Sequence, residues 1–150
     1  MLNHYFYNEL GFSGNVNDYY NPDNSYLHRV IDTRRGIPIS LAVLYMELAQ
    51  QIDLDVQGIS FPGHFLMKLA VQSGQVVLDP FNGDSLSREE LEERVDPYIM
   101  QQDFPDDFQL TAYLDAASPR DILVRMLRNL KTLFMQQERW QRLLLSLIHI

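Results

Sequence analysis

Apolar residues in the middle of the chain recur with the period of an α-helix and then switch to that of a β-strand. Leu41, Leu44, Tyr45, Leu48 and Ile52 fall three or four residues apart, or on one stripe at that spacing. Ala42, Val43, Met46 and Ala49 fill most of the remaining circumference, and only Glu47, Gln50 and Gln51 are polar. A helix that is apolar nearly all round is buried nearly all round. The pattern therefore predicts the central helix of the domain. It begins near Pro38, because a proline suits the first helical position, where its missing N–H costs nothing. Beyond residue 55 the runs shorten. Val56 to Ser60, Phe65 to Val71 and Gln75 to Phe81 are apolar segments punctuated by glycine, and they read as strands. QSGQ at 72–75 reads as a hairpin turn.

The flanks are less regular. Residues 1–12 are aromatic and read as helical, with Gly11 as the stop. Residues 13–27 are rich in Asn, Asp, Gly and Pro, which is turn chemistry, and their three tyrosines read as packing anchors. Ser87 with Glu90 forms a capping box that opens a short helix, and Ser118 with Asp121 opens another. Between them, 96–117 reads as irregular. In the second helix Ile122, Met126, Leu127, Leu130, Leu133 and Phe134 form the expected buried stripe, with Arg125, Arg128 and Lys131 largely off it. A further helix is expected from about Glu138 or Trp140, as one arm of a helical hairpin. A helix followed by consecutive strands makes the class α+β.

Composition narrows the function more than the fold. The chain has 150 residues, 46% of them hydrophobic, which allows a single domain with a real core. Its net charge of −8 argues against non-specific binding to nucleic acid or to an anionic membrane. No apolar run approaches the roughly 20 residues of a spanning helix, and no N-terminal charged-then-apolar signal is present. The expectation is a soluble cytoplasmic protein. The chain has no cysteine, which removes disulfides, thiolate metal sites and thiol catalysis together.

Four residues are candidates for chemistry. His64, in FPGHF, is either a catalytic or orienting imidazole or a half-buried histidine bonded to backbone. Asp79, in VVLDPF, either orients that ring, as the third member of a triad does, or caps a strand end. Ser40 is the one hydroxyl in RRGIPISLA. It is either a nucleophile without the usual elbow or a first-turn residue that satisfies a free backbone N–H. Pro38, the fourth, is singled out by a resemblance. His4, His28 and His149 show no metal-ligand spacing, so neither a metal nor a cofactor is expected. Arg34 and Arg35 could bind an acidic group or serve no specific purpose.

Taken together, RRGIPISLA, FPGHFL and LDPFNG, with RDILVRMLRNLK beyond them, resemble the SirB-type bacterial transglutaminase-like family over nearly the whole chain. The resemblance implies a papain-related core, with a central buried helix on a small antiparallel sheet and helices at the C-terminal end. Active relatives in the wider superfamily place a Cys at the start of that helix and a small residue four positions on. Ala42 matches the small residue, so the Cys position falls at Pro38, with His64 and Asp79 as the other two members. Proline has neither thiol nor hydroxyl. Losing a nucleophile costs on the order of a millionfold in triad enzymes.

The domain expectation is accordingly a transglutaminase-like core over 1–117 and a helical extension over 118–150. The extension corresponds to the start of a tetratricopeptide-like region. The closing LLSLIHI resembles a peptide translated from sequencing-adapter DNA, so the natural protein is expected to run on, and its start is expected before Met1. The functional expectation is a non-catalytic domain that binds a protein or peptide partner. The rival readings are a hydrolase of altered mechanism built on His64 and Asp79, or a purely structural His/Asp pair.

Overall fold

A computed structural model describes residues 1–99 and 110–148. Its centre is helix α2, Pro38–Gln51. Pro38 occupies the first helical position, after Ile37 in extended backbone. The far end closes with a left-handed residue, Asp53, at φ 56°. The Leu54 N–H reaches back to the Ala49 carbonyl at 2.9 Å and the Asp53 N–H to the Gln50 carbonyl at 3.1 Å. This is the Schellman closure, here with Asp in a place usually held by Gly.

Four antiparallel strands pack beside α2 in the order β3 (Val56–Phe61), β4 (His64–Val71), β5 (Gly74–Leu78) and β6 (Ser85–Leu86). Both hairpins close with two residues between the strand ends. Phe61 pairs with His64 across Pro62-Gly63, and Val71 pairs with Gly74 across Gln72-Ser73. Gly63 takes φ 69°, and a proline followed by a positive-φ glycine is the residue order of a type II turn. The sheet is covered on both faces. Phe65 and Met67 join Leu41, Ala42 and Tyr45 in one cluster with α2. Leu66 and Val77 join Leu91 and Val95, which lie on helix α3 (Arg88–Ile99), in a second cluster. Double coverage explains why β4 carries a continuous apolar run in place of strict alternation.

The N-terminal segment wraps the other side of α2. A π-helical turn, His4–Glu9, buries Phe6 against Phe12 and Tyr45. Two short strands, β1 (Ser13–Gly14) and β2 (Arg35–Gly36), pair in parallel. Between them come a 3-10 turn, Pro22–Ser25, and helix α1, Leu27–Thr33.

Helix α4, Pro119–Ile148, leaves the core as a single helix of 30 residues. Both capping boxes are present. Ser87 Oγ accepts from the Glu90 N–H while the Glu90 carboxylate accepts from the Ser87 N–H, and Ser118 and Asp121 do the same.

Three expectations need correcting. No second helix begins near Glu138: the polar run Gln136-Gln137-Glu138 interrupts the apolar period, but these residues form helix well and α4 passes through them. The expected stripe on α4 is not buried: Ile122, Met126, Leu130 and Leu133 are half-buried, and Leu127 and Phe134 are exposed. The stretch 96–117 is not irregular throughout. Helix α3 continues through Pro97 to Ile99, and Leu110–Leu114 is a 3-10 turn, while 100–109 lie outside the described residues. His149 lies outside them as well.

Candidate functional site

The start of α2 is held from below by Ser40. Its side chain is fully buried. The hydroxyl donates to the Asn24 carbonyl at 2.6 Å and accepts from the Ile37 N–H at 3.1 Å. Asn24 is itself buried: its amide donates to the Asp18 and Tyr19 carbonyls, and its Oδ1 accepts from the Asn15 side chain. One buried node thus fixes both the tyrosine loop and the first turn of α2.

Asp79 ends up beside α3. Its Oδ2 accepts from Arg94 Nη2 at 3.0 Å, in a pair whose side chains are 13% and 28% exposed, and its Oδ1 accepts from the Phe81 N–H at 2.9 Å. Both carboxylate oxygens are therefore engaged, neither of them by His64. The loop that follows is held from the N-terminal segment. Tyr7 Oη donates to the Pro80 carbonyl at 2.7 Å and the Asn3 amide to the Gly83 carbonyl at 2.7 Å. Burial, first of all, raises the Tyr7 phenol well above its ordinary value, with the charges of Asp79 and Asp84 acting the same way. Gly14 completes the anchorage. Its N–H donates to the Phe81 carbonyl, and the Phe81 ring lies where a Cβ on residue 14 would be. Through β1 and β2, the lead-in to α2 and the Asp79 loop are joined at that glycine.

His64 opens β4 and is partly buried. Burial lowers its imidazole below the ordinary value, Arg94 lowers it further, Asp79 opposes, and Arg125 again lowers it. The net effect favours the neutral form of the ring. Among the described residues it makes no hydrogen bond. Arg125 arrives from α4: Nη1 donates to Ser60 Oγ at 2.8 Å and to the Phe61 carbonyl at 3.1 Å, and its guanidinium lies 5.7 Å from the Phe65 ring centre. The ring has room because residue 58 is glycine, where a Cβ would sit 2.7 Å from it. Tyr19 connects this end of the site to α2. It feels both Arg125 and Asp79, and with Ile37 and Asn129 it lines a cavity of about 190 Å³ next to Pro38 in sequence.

Residues 1–128 match the family model described as the transglutaminase-like superfamily. The chain belongs to the transglutaminase-like superfamily. It is 48% identical over 142 residues to a UPF0162 protein of Xylella fastidiosa, covering 94% of this chain and 50% of that one. It is 32% identical over 137 residues to a UPF0162 protein of Vibrio cholerae, covering 90% and 49%. A mouse protein named F-box only protein 21 is 40% identical over 81 residues, covering 54% of this chain and 13% of its own. The chain spans about half the length of the bacterial relatives it matches. No solved structure matches. Superfamily membership agrees with the α+β architecture seen here, a buried central helix against an antiparallel sheet.

Arg94, Arg125, Asn24 and Tyr7 are the residues that sequence reasoning did not single out. Arg94 left a signal. It lies three residues after Leu91 and one before Val95, which puts it on the buried face of α3. Arg34 and Arg35 are structural: Arg34 stacks on Phe12, and Arg35 donates to the Gly11 carbonyl. Among the described residues no group of His, Cys, Asp or Glu could hold a metal ion, and no helix is long and apolar enough to cross a membrane.

Proposed function

We propose that the chain is a non-catalytic transglutaminase-like domain of the SirB type, working as a protein- or peptide-binding module with regulatory or scaffolding output. The observation that carries this reading is the absence of cysteine, together with a proline, Pro38, at the position that the resemblance assigns to the nucleophile. Thiol acyl transfer needs a thiolate, and no residue of this chain can supply one. Ser40, the nearest hydroxyl, is buried and has its hydrogen bonds made internally, which supports the same reading. The cavity that Tyr19, Ile37 and Asn129 line at the start of α2 is the proposed binding site. A reducing, cytoplasmic setting fits the absence of cysteine, and a tetratricopeptide-like continuation fits the length of the bacterial relatives.

The test is an amine-incorporation and peptidase assay on the wild type and on His64→Ala. The expected result is no turnover above background for either. Turnover that disappears in His64→Ala refutes the reading and favours the rival, a hydrolase in which the neutral His64 imidazole activates water. The Asp79–Arg94 pair weighs against that rival, because the carboxylate that would orient the imidazole is already engaged.

A further inference from the structure

A groove runs between α2, the first residues of β3 and the first turns of α4. Val43, Met46, Val56, Leu123 and Met126 are among the residues that line it, around about 510 Å³. Val43, Met46 and Met126 are half-buried, and Leu123 at the rim is 58% exposed. Two methionines make the lining adaptable, because a thioether side chain conforms to partners of different shape. The groove continues along α2. Val43, Met46 and Val56 also line a second groove of about 510 Å³, which carries Glu47, Asp53 and Asp55. Neither groove shares a lining residue with the cavity at Tyr19.

Charge is concentrated at one end of this track. Glu47, Asp53 and Asp55 are exposed. Among the described residues none of the three enters an ion pair, and no Lys or Arg lines either groove. Helix α2 points its C-terminal end at the same place, and a helix carries its negative pole there. An apolar groove thus runs into a negative potential that no lining cation relieves.

We infer that this groove docks a basic amphipathic helix of a partner protein, laid along α2. The shape suits a helix. Val43, Met46, Glu47 and Gln50 are spaced three or four apart and form one stripe of α2. They span roughly 10 Å at 1.5 Å per residue, about two turns of a helix alongside, and Asp53 and Asp55 extend the track beyond the end of α2. Helix-in-groove binding seats apolar anchors at helical spacing. The apolar end takes those anchors, and lysines or arginines beside them meet the acidic end. The net charge of −8, which disfavours nucleic acid and anionic membranes, favours a basic partner.

Fluorescence anisotropy at physiological salt tests this, with the whole chain and a labelled synthetic peptide of leucine and lysine at helical spacing. The expected result is saturable binding of one peptide per chain. The same composition in strict alternation, and a leucine–glutamate counterpart, should bind at least about tenfold more weakly. Glu47→Gln combined with Asp55→Asn should weaken the lysine peptide about tenfold. Leu123→Asp should do the same although it adds negative charge, because it removes an apolar contact. All three positions are exposed, so the variants should keep the circular dichroism of the wild type. Glu89→Gln with Glu93→Gln, an equal change of charge on the exposed side of α3, should leave binding within about twofold. No saturable binding up to roughly 1 mM, equal binding of the glutamate peptide, or an equal loss in the α3 variant overturns the inference. So does binding indifferent to Leu123→Asp, or a groove already filled by a second copy, read as a dimer that Leu123→Asp dissociates. Peptide binding lost on replacing Tyr19 but not on these changes overturns it too, while leaving the reading of the Tyr19 cavity in place.

Discussion

Replacing Ser40 by Ala removes one hydroxyl from a fully buried site, and the structure fixes what is lost. The Asn24 carbonyl loses the hydroxyl that donates to it at 2.6 Å, and the Ile37 N–H loses its acceptor at 3.1 Å. The Ile37 carbonyl also receives the hydroxyl, but it keeps its bond from the Leu41 N–H at 3.0 Å and so loses little. A buried polar group left without a partner costs about 1–3 kcal/mol. Two such groups, partly relaxed, imply a loss of about 2–4 kcal/mol, a large share of the 5–15 kcal/mol typical of a domain. Urea unfolding followed by circular dichroism measures this directly. With a slope near 2 kcal/mol per molar, the midpoint should fall by about 1–2 M at unchanged slope. A nucleophile held at a surface would behave in the opposite way: its loss would abolish turnover and leave the midpoint almost unmoved. A stability change below about 0.5 kcal/mol, the range of surface substitutions, would refute the assignment of Ser40 as an internal clamp.

Four further substitutions probe the site and its frame. Arg94→Ala should raise the His64 pKa, because it removes a cation that lowers it and frees the Asp79 carboxylate that raises it; a histidine proton-resonance titration reads the direction. His64→Gln should flatten the acid limb of stability. With its folded pKa lowered, neutral His64 costs nothing above the ordinary 6.5, but below that the unfolded chain takes up the proton more readily, so wild-type stability falls as pH falls. Urea midpoints at neutral and mildly acid pH, compared between the two proteins, check this. Asp53→Gly should stabilise by about 0.5 kcal/mol, since glycine accepts the left-handed backbone that Asp tolerates with strain, although it also frees the unfolded chain; the thermal midpoint decides. Pro38→Cys should place a thiol at the helix start that alkylates faster than free cysteine, because helix N-termini favour the thiolate, yet gives no transamidation while Asp79 remains paired with Arg94.

What could be read from the sequence was local. Pro38 marks the start of α2 through its own ring geometry, the Ser87 and Ser118 boxes need only three residues each, and the second hairpin is specified by its turn. The period switch near residue 55 is enough to find β3, β4 and β5, but not the two-residue strands β1, β2 and β6, which are too short to show a period. Long-range partners were another matter. Asp79 and Arg94 are 15 residues apart on different elements, and nothing local favours Arg94 over His64 as the partner of that carboxylate. Ser40 meets Asn24 across a segment that reads only as turns. Helix α4 reads as two helices because its apolar period lapses at Gln136-Gln137-Glu138, whereas Gln and Glu sustain a helix without it.

The anchorage of the Asp79–Asp84 loop has a consequence for synthesis. Tyr7 and Pro80 are 73 residues apart, and Asn3 and Gly83 are 80. At roughly 5–20 residues per second, a ribosome needs about 4–15 s to make the second partner after the first. Phe6 and Phe12 stack on each other, but Phe6 finishes its packing on Tyr45, which emerges only with α2. The aromatic N-terminal segment is therefore made well before the residues that latch it, and the nascent chain carries an exposed cluster of rings until the second hairpin and its following loop have left the ribosome.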